Sequence, residues 1–599
     1  MSFYGYFHFG HPAFEFSEPS MTVAVNILHG DGWSLAGDSV GTTESAVCAF
    51  HGALSNRRNL CETFGLSPET TVSELILHIY NQQHEHANFE PLRGAFSFAI
   101  LDKSRRKLLL VRDQLGREVL FHAALPNGTH LFSTSLNDLR RLPGFSPQIS
   151  LKALFDYLSL GYVPSPHTIF RCVSKVSPGH CVTITESTCE DTAWWKPRFI
   201  PKLKINYHDA VAEAWRLLDI AVKRCLDNHP QANILLSGGI DSNLVMALAS
   251  TSDGFGGHAF TVGFDDPKYD ERSLAAISAK KFNVAHELMQ VMPDAWNELS
   301  AAQRLNGEPF GDSSLIPTLC AMRLAKQHGA TAILTGSGGD EIFGGYRRYQ
   351  AMAVRHAWRW LPKFIIKPAT SLILKILGEP EDARARFATL SRFAAFWRQA
   401  PLPGYAAFQE VFSEDLKQTI CQDWTKNAAT PYLNDWAEMI SQMEVNDFVE
   451  QFNALDMVSY LPDDGCRKEA LAAEMAGLTG DCPVMDMDLV EFGLALPRKL
   501  RVTSRQRKRV FHGIASYLLP PELLKQTKRG FGMPVSSWFR TECKDRLLDL
   551  ASSVKAWDLY GWFKPEAIEQ RCNDHLDGHR DNGARLWILL CLKTWLEQL

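Results

Sequence analysis

The stretch Asn233-Ile-Leu-Leu-Ser-Gly-Gly-Ile-Asp-Ser-Asn-Leu-Val-Met-Ala-Leu-Ala249 decides the fold of this 599-residue chain. Its apolar start predicts a short buried strand, the Gly-Gly pair predicts a tight turn, and the apolar residues after it predict a helix. Such a turn points free backbone N–H groups and the positive end of the helix dipole at a bound anion. The residues predicted to bind phosphate here are Leu236, Ser237, Gly238, Gly239, Asp241 and Ser242.

The hexapeptide Ser237-Gly-Gly-Ile-Asp-Ser242 resembles the signature of ATP pyrophosphatases, which split ATP between its α and β phosphates. The chain has no Gly-Lys dipeptide, which excludes the Gly-Lys-Ser/Thr phosphate loop of kinases and GTPases. The alternative is an ordinary helix cap with a chance Gly-Gly pair. The full hexapeptide after an apolar strand favours nucleotide binding.

A second turn, within Thr331-Ala-Ile-Leu-Thr-Gly-Ser-Gly-Gly-Asp-Glu-Ile-Phe-Gly-Gly-Tyr346, repeats this order of strand, glycines and acidic residue. Ligands of open α/β sheets bind beyond the carboxyl ends of the strands, so the two turns are expected to meet there. We predict that Gly336 and Gly338 contact ATP. Because Mg²⁺ prefers carboxylate and phosphate oxygens, Asp241 and Asp340 are its predicted ligands. The alternative for each aspartate is a helix N-cap.

Composition limits the possible classes of protein. The length predicts two or more domains, and the net charge of −5 leaves no basic excess for binding nucleic acid. Thirteen cysteines without a Cys-x-x-Cys pair predict reduced, mostly buried thiols, and with them a cytoplasmic location. The most apolar later segment, 364–377, contains two lysines and a proline, so no membrane span is predicted.

Residues 1–200 are predicted to be rich in β-strands. Ala95–Leu101 and Lys107–Arg112 have the pattern of paired strands, and the turn between them predicts a hairpin. Together with Gly52-Ala-Leu-Ser-Asn56 and Phe132-Ser-Thr-Ser135, this succession resembles the glutaminase domain of asparagine synthetases. The resemblance implies an N-terminal-nucleophile (Ntn) hydrolase-like β-sandwich with helices.

The glutaminase motif departs from that family at the nucleophile. The family has Cys-Gly after the initiator Met, whereas this sequence has Ser2-Phe3, and its first cysteine is Cys48. A serine without the following glycine matches the pattern poorly. We therefore predict a glutamine amidotransferase-like domain without its nucleophilic cysteine, serving as a structural remnant or a partner surface.

Residues 201–599 are predicted to form an asparagine-synthetase-like domain. A helix over 208–226 and alternating strands and helices predict a parallel sheet, followed by a helical C-terminal part. This is the adenine nucleotide α-hydrolase-like (ATP pyrophosphatase) architecture, so the chain combines α/β and α+β parts in two domains. Amphipathic segments within 358–399 are predicted to pack on the core, with partner docking as the alternative.

The resemblance also implies roles for individual residues. Adenine and ribose are placed near Val262, Gly263 and Phe264, while Lys508 falls at the family's catalytic lysine. The alternative for Lys508 is a surface charge cluster. The predicted catalytic positions are Lys508, Glu308 and Ser337, with Glu308 on a loop at the edge of the cleft. The predicted substrate-side residues are Asp312, Ser313 and Tyr346; a capping role for Asp312 is its alternative.

Some motifs of asparagine synthetases are altered here. The glutamate that handles the amine in that family is replaced by Ser337, and the later Lys-x-Asp-Arg reads Lys468-Glu-Ala-Leu471. The arginine before the Pro-Phe-Leu-Asp motif is replaced in Asp481-Cys-Pro-Val-Met-Asp486. Nucleotide-side motifs are kept while amine-side and aspartate-side motifs are lost, which predicts a different acceptor and a different amine.

These motifs predict an enzyme that uses ATP and Mg²⁺ to adenylate a carboxylate and then forms an amide, releasing AMP and pyrophosphate. In lacking the glutaminase cysteine the chain resembles two offshoots of the family, the β-lactam synthetases and the lasso peptide macrolactam synthetases, which join an amine and a carboxylate of one molecule and need no ammonia. The resemblance implies a Tyr at position 337 in β-lactam synthetases, where this chain has Ser337. We therefore favour a lasso peptide macrolactam synthetase, which joins a peptide's N-terminal amine to an Asp or Glu side chain. Its expected partners are a precursor peptide and a leader protease. The alternatives are a divergent asparagine synthetase using ammonia or glutamine, a β-lactam synthetase-like enzyme acting on a small carboxylate, and a non-catalytic ATP-binding partner protein.

Overall fold

The computed structural model describes residues 2–8, 26–30, 33–37, 39–82, 89–142, 144–360, 363–377, 388–426, 432–525 and 532–599. The strands in these ranges are β1 (Tyr4–His8), β2 (Asn26–Gly30), β3 (Trp33–Gly37), β4 (Ser39–Thr42), β5 (Ala46–Leu54), β6 (Gly94–Asp102), β7 (Lys107–Arg112), β8 (Phe121–Ala124), β9 (Thr129–Ser133), β10 (Val173–Lys175), β11 (His180–Ile184), β12 (Cys189–Ala193), β13 (Asn233–Leu235), β14 (Ala259–Gly263), β15 (His286–Gln290), β16 (Ala332–Leu334) and β17 (Thr479–Asp481).

The first helices are α1 (Arg57–Thr63), α2 (Val72–Gln82), α3 (Leu136–Arg141), α4 (Leu151–Leu160), α5 (Tyr207–Asn228), α6 (Ile240–Ala249), α7 (Arg272–Lys281), α8 (Leu299–Asn306), α9 (Leu315–Gln327), α10 (Gly339–Phe343), α11 (Arg347–Ala357), α12 (Lys363–Leu377), α13 (Ala388–Arg398) and α14 (Pro401–Ala406). The others are α15 (Glu414–Ile420), α16 (Tyr432–Gln442), α17 (Glu450–Val458), α18 (Arg467–Ala476), α19 (Met487–Ala495), α20 (Arg498–Arg501), α21 (Arg509–Leu518), α22 (Pro521–Leu524), α23 (Val535–Arg540), α24 (Lys544–Ser552), α25 (Val554–Trp557), α26 (Pro565–Leu576) and α27 (Gly583–Leu596).

Two six-stranded sheets form the N-terminal part. Their orders are β10-β8-β9-β1-β3-β2 and β12-β11-β7-β6-β5-β4, and each pair is antiparallel. A core with Phe3, Leu35, Ala99 and Leu110 joins side chains from both sheets, because alternate residues of each strand face inward. The predicted β-sandwich and its β6–β7 hairpin are confirmed.

A parallel sheet of five strands forms the centre of the second part. Its order is β15-β14-β13-β16-β17, and every pair is parallel. The chain moves outward from β13 in one direction and then returns to the other side at β16. The carboxyl ends of β13 and β16 therefore adjoin at a topological switch point, where α/β proteins bind ligands.

The structure contains the helix predicted before the first glycine turn, whereas packing of the 358–399 segment on the core stays a prediction. The helix predicted over 208–226 is α5, and its N-cap Asn206 accepts from the Asp209 N–H at 3.0 Å. In the 358–399 segment, α12 packs against α13, while Trp360 and Ile376 are exposed. Residues 361–362 and 378–387 of this prediction lie outside the described residues.

All thirteen cysteines are free and eleven are buried, as predicted. Among the described residues, no helix is both long and apolar enough to cross a membrane.

Candidate active site

A cavity of about 600 Å³ opens at the carboxyl ends of β13 and β16. Both predicted glycine turns reach it, and α4 of the N-terminal part contributes Leu160 to its wall. The predicted site residues that line it are Leu236, Ser237, Gly239, Asp241, Ser242, Val262, Asp312, Ser313, Gly336, Ser337, Gly338, Asp340 and Tyr346. Residues from distant parts of the sequence thus meet at one cavity.

The two glycine turns pack directly on each other. A Cβ atom on Gly336 would lie 2.4 Å from the backbone nitrogen of Ser242, so only glycine permits this approach. The Ser237 and Ser242 hydroxyls are 2.9 Å apart, and the Gly239 N–H donates to Ser237 Oγ at 3.1 Å. These bonds fix the conformation of the first turn, which leads directly into α6.

Asp241 and Asp340 face the same cation, the Lys508 ammonium. Lys508 Nζ lies 2.9 Å from Asp340 Oδ1 and also donates to Asp241 Oδ2. Lys508 has a left-handed backbone, with φ of 46°, at the residue before α21. A non-glycine residue rarely adopts this conformation, and it directs the lysine into the site.

The donor set at this pair fits Mg²⁺. Asp241 Oδ1 is buried and receives no hydrogen bond within the described part of the chain. The two carboxylates supply hard oxygen ligands, and among the described residues no cluster of three or more ligating side chains exists. Mg²⁺ is commonly bound by one or two carboxylates together with substrate phosphates, so this pair matches a Mg·ATP site better than a site for a free metal ion.

A second cavity, of about 260 Å³, lies on the other side of the first turn. Gly238 and Gly239 line it, together with a set of basic or polar residues from the segment before and within α21: Arg505, Gln506, Arg507, Lys508 and His512. Burial and then the Lys508 charge lower the pKa of His512. The glycine turn therefore borders both the large cavity and a smaller one, whose lining combines these basic residues with Asp241, Asp270 and Glu271.

Of the residues predicted to contact adenine and ribose, only one lines the large cavity. Val262 lines it, whereas Gly263 packs against the Asp270–Arg272 ion pair and Phe264 is buried against Trp538. Glu271, next to this strand end, accepts from the Gly238 N–H through its Oε2 at 2.9 Å. It forms no side-chain N-cap bond for α7. The Glu271 carboxylate therefore holds the first glycine turn rather than capping the helix.

Glu308 does not line either cavity, contrary to the expectation that it lies at the edge of the cleft. Its Oε1 is 2.7 Å from Lys175 Nζ, and its Oε2 accepts from the Ile169 N–H at 3.0 Å. Both partners belong to the N-terminal part, and Glu308 is 5% exposed. These contacts turn the carboxylate away from the site, and a catalytic role for Glu308 stays a prediction.

Several residues that line the cavity were not predicted as site residues, although Thr335 and Glu341 belong to the second glycine turn and Lys468-Glu469 belongs to the altered Lys-x-Asp-Arg motif. They are Thr335, Glu341, Tyr460, Asp464, Lys468 and Glu469. Three of them lie on the π-helical turn over 461–466 or on α18, which follows it directly. A π-helical turn commonly marks a functional site. The adjacent acidic pair Asp463-Asp464 is the sequence feature that could have pointed to this part of the site. Asp463 accepts a hydrogen bond from Ser165 of the N-terminal part, whereas Asp464 lines the cavity.

The charges on this side of the cavity are strongly coupled. Burial and then Asp312 raise the pKa of Asp464 to about 8. Lys468 Nζ lies 3.2 Å from Asp312 Oδ2. Burial disfavours the Lys468 ammonium, but Asp312 and Asp464 outweigh it and raise its pKa. Asp312 is thus held by a lysine, and it also accepts from the Ser314 N–H at 2.8 Å.

Comparison with known proteins identifies the family. The asparagine synthase family model matches residues 213–597, and a glutamine amidotransferase domain model matches 40–195. Asparagine synthetase (glutamine-hydrolyzing) 1 of Bacillus subtilis is 24% identical over 612 residues, covering 99% of this chain and 90% of that protein. A Mycobacterium tuberculosis protein that carries an asparagine synthetase name is 27% identical over 517 residues, covering 84% of this chain and 76% of its own length.

A solved amidotransferase gives a weaker match. The glutamine phosphoribosylpyrophosphate amidotransferase of B. subtilis covers 56% of this chain and 74% of its own, with 10% identity. Its TM-score of 0.22 is too low to carry an argument. The family models, the switch-point cavity and the paired aspartates agree with one another, and the chain belongs to the asparagine synthase family of ATP-dependent C–N ligases.

Proposed function

We propose that this protein adenylates a side-chain carboxylate of a peptide and closes a macrolactam with the peptide's own N-terminal amine, as lasso peptide synthetases do. One observation carries the proposal: the family's substrate-side motifs are altered in this chain, whereas both of its nucleotide-side glycine turns are kept. Asp481, at the position of a family arginine, lies 3.1 Å from Arg117 of the N-terminal part. It serves as a domain contact, and it offers no cation to an aspartate substrate.

The two cavities support cleavage of ATP between its α and β phosphates. ATP lying across the Gly238–Gly239 turn would place its terminal phosphates toward the basic residues around Arg507, and its α phosphate toward the large cavity. The α6 dipole would stabilise the charge that develops there, and the Gly238 and Gly239 N–H groups would do so once the phosphate displaced their contacts with Glu271 and Ser237. Lys508 would then hold leaving pyrophosphate. Mg²⁺ on Asp241 and Asp340 would supply further charge neutralisation.

The shape of the large cavity favours a substrate larger than aspartate. Apolar side chains contribute to its lining, among them Leu160, Val411, Val535, Trp587 and Ile588. Apolar side chains of a peptide would bury surface there, and excluding water would protect an acyl-adenylate from hydrolysis. An ordinary aspartate needs no such apolar lining.

The N-terminal part supports a substrate-derived amine. Burial raises the pKa of the Cys48 thiol well above its usual value, which suppresses the thiolate that a glutaminase needs. Ser2 Oγ donates to Asp138 Oδ2 at 2.9 Å. Cys48 is therefore not poised as a nucleophile, and Ser2 lacks the cysteine thiol and the following glycine of the family pattern, so glutamine is not the expected nitrogen source.

ATP–pyrophosphate exchange tests the proposal. We expect exchange that depends on a synthetic peptide with a free N-terminal amine and one internal Asp or Glu, followed by a cyclic product one water lighter. The same peptide with Asn or Gln at that position is the control and should be inert. Exchange driven by free aspartate and not by the peptide would refute macrolactam formation.

A divergent asparagine synthetase is the second candidate. The names of the relatives favour it, since they are asparagine synthetases of the glutamine-hydrolysing kind. It predicts asparagine from aspartate, ATP and ammonium. The same exchange assay therefore separates the two candidates by their acid substrate.

A further inference from the structure

Glu469 presents a carboxylate to the large cavity from the first turn of α18. The Thr335 hydroxyl donates to its Oε2 at 3.0 Å, and the Ser337 hydroxyl donates to its Oε1. Both hydroxyls belong to the turn that follows β16. Two donors from a rigid turn therefore fix the position of this carboxylate.

This position coincides with the amine side of the family's site. In asparagine synthetases a glutamate stands where this chain has Ser337, and Ser337 is in direct hydrogen-bond contact with Glu469. A carboxylate lost from the β16 turn is thus restored by another element, 132 residues further along the chain. The site keeps its negative charge although the residue that carries it has changed.

Neighbouring charges leave Glu469 available to a cationic ligand. Within the described ranges Glu469 forms no ion pair, whereas the nearby Lys468 is held by Asp312 at 3.2 Å. Glu341 also lines the cavity, and its carboxylate accepts from the Tyr346 hydroxyl at 2.7 Å. The Glu469 carboxylate therefore attracts positive charge, including that of the neighbouring Lys468 ammonium, and the attacking amine reaches the enzyme as an ammonium.

We propose that Glu469 receives the substrate ammonium and acts as the general base for amide formation, with Thr335 and Ser337 as its positioning residues. The inference rests on the proposed function. Glu469 takes one proton from the ammonium, and the freed nitrogen lone pair forms the C–N bond to the acyl carbon. The C–O bond to the phosphate then breaks, AMP departs, and the second nitrogen proton leaves on the phosphate oxygen.

Three reactions of one variant test the assignment. Glu469→Gln should retain ATP–pyrophosphate exchange close to wild type, because adenylation needs no amine. Amide formation with the peptide amine should fall roughly hundredfold or more, the usual contribution of a general base. Hydroxylamine is largely unprotonated at neutral pH and should still trap the acyl-adenylate as a hydroxamate. The remaining cyclisation rate should rise with pH as free amine accumulates.

The matched control is Glu474→Gln, the same change on an exposed face of α18. It should leave all three reactions at wild-type rates. Wild-type cyclisation by Glu469→Gln would overturn the inference, and so would an equal loss of cyclisation and hydroxamate formation, which indicates a purely structural role.

The assay also separates this inference from the proposed function. If free aspartate drives exchange and the peptide does not, macrolactam formation fails, and the Glu469→Gln comparison is made with aspartate and ammonium, where the same selective loss is expected. If neither acid drives exchange in the wild-type protein, both the proposed function and the role of Glu469 are refuted.

Discussion

Replacing Lys175 by methionine should destabilise the junction between the two parts of the chain. Lys175 is 6% exposed, and its ammonium lies 2.7 Å from Glu308 Oε1 and 3.8 Å from Asp463 Oδ1. It also donates to the Val163 carbonyl at 2.6 Å. Lys175→Met keeps most of the side-chain volume, but it leaves two buried carboxylates without this cation.

The size of the effect follows from the contacts that remain. Removing one partner of a buried ion pair costs about 3–5 kcal/mol, mostly as the desolvation of the charge left behind. Glu308 keeps the Ile169 N–H, and Asp463 keeps the Ser165 N–H and hydroxyl. We therefore expect a loss near the lower end, about 3 kcal/mol. If the 599 residues unfold as one unit, this lowers Tm by about 2 °C, and by more if a smaller unit unfolds.

Differential scanning calorimetry measures this loss, with Lys204→Met at an exposed lysine as the control. A double variant that adds Glu308→Gln should lose less than the sum of the two single variants, because the buried charge has then been removed as well. An unchanged Tm in Lys175→Met, or strict additivity in the double variant, would refute the electrostatic argument.

The same set separates stability from catalysis at Glu308. The structural position predicts that Glu308→Gln lowers Tm, while a catalytic role predicts a large fall in ATP–pyrophosphate exchange well below the melting temperature. A hundredfold fall in exchange with an unchanged Tm would restore the catalytic role predicted from the sequence and contradict the position assigned here.

Three further predictions concern the site itself. Lys508→Ala should reduce ATP–pyrophosphate exchange by roughly a hundredfold, as expected for a group that stabilises developing charge, and an unchanged exchange rate would contradict this role. Gly345→Ala should also abolish exchange, because a Cβ atom there would lie 1.8 Å from Asp340 Oδ1; Gly256→Ala, with open space around its Cβ, is the control and should be active. Asp464 has its pKa raised to about 8, so the native state binds more protons than the unfolded state between about pH 4 and pH 8. Its contribution to the free energy of unfolding should fall as pH rises through this window, by at most about 1.4 kcal/mol per pH unit, and then level off above pH 8. Melting curves of Asp464→Asn should show a weaker dependence on pH, and curves that track wild type at every pH would rule this out.

The sequence predicted those features whose cause is local. The strand–turn–helix over 233–249 follows from apolar periodicity and a Gly-Gly pair, and α5 follows from its 3.6-residue repeat. The hairpin of β6 and β7 follows from two apolar runs and a short turn. The meeting of the two glycine turns was also predictable, because strand order in α/β sheets brings carboxyl ends together at a switch point.

Contacts between segments that are distant in the chain were harder to predict from the sequence. Glu308 lies on the predicted loop, yet its direction depends on Lys175, which comes from the other part of the chain and leaves no trace in the local sequence around Glu308. Family resemblance singled out Lys508, but the local run of basic residues around it did not. Its left-handed backbone and its contacts with two aspartates select it from that run, and both are properties of the folded chain.

Ser337 and Glu469 show why the loss of a motif residue is weaker evidence than its presence. A glycine-rich phosphate turn needs its residues in order, because backbone N–H groups of successive residues bind the ligand. A general base needs only a carboxylate within reach of the amine, and any element that borders the cavity can supply it. Ser337 indicated that the amine side was lost, whereas the Glu469 carboxylate lies against the Ser337 hydroxyl in the folded chain. Changes in a family's amine-side motifs therefore indicate a new substrate only after the whole cavity wall has been searched for the missing charge.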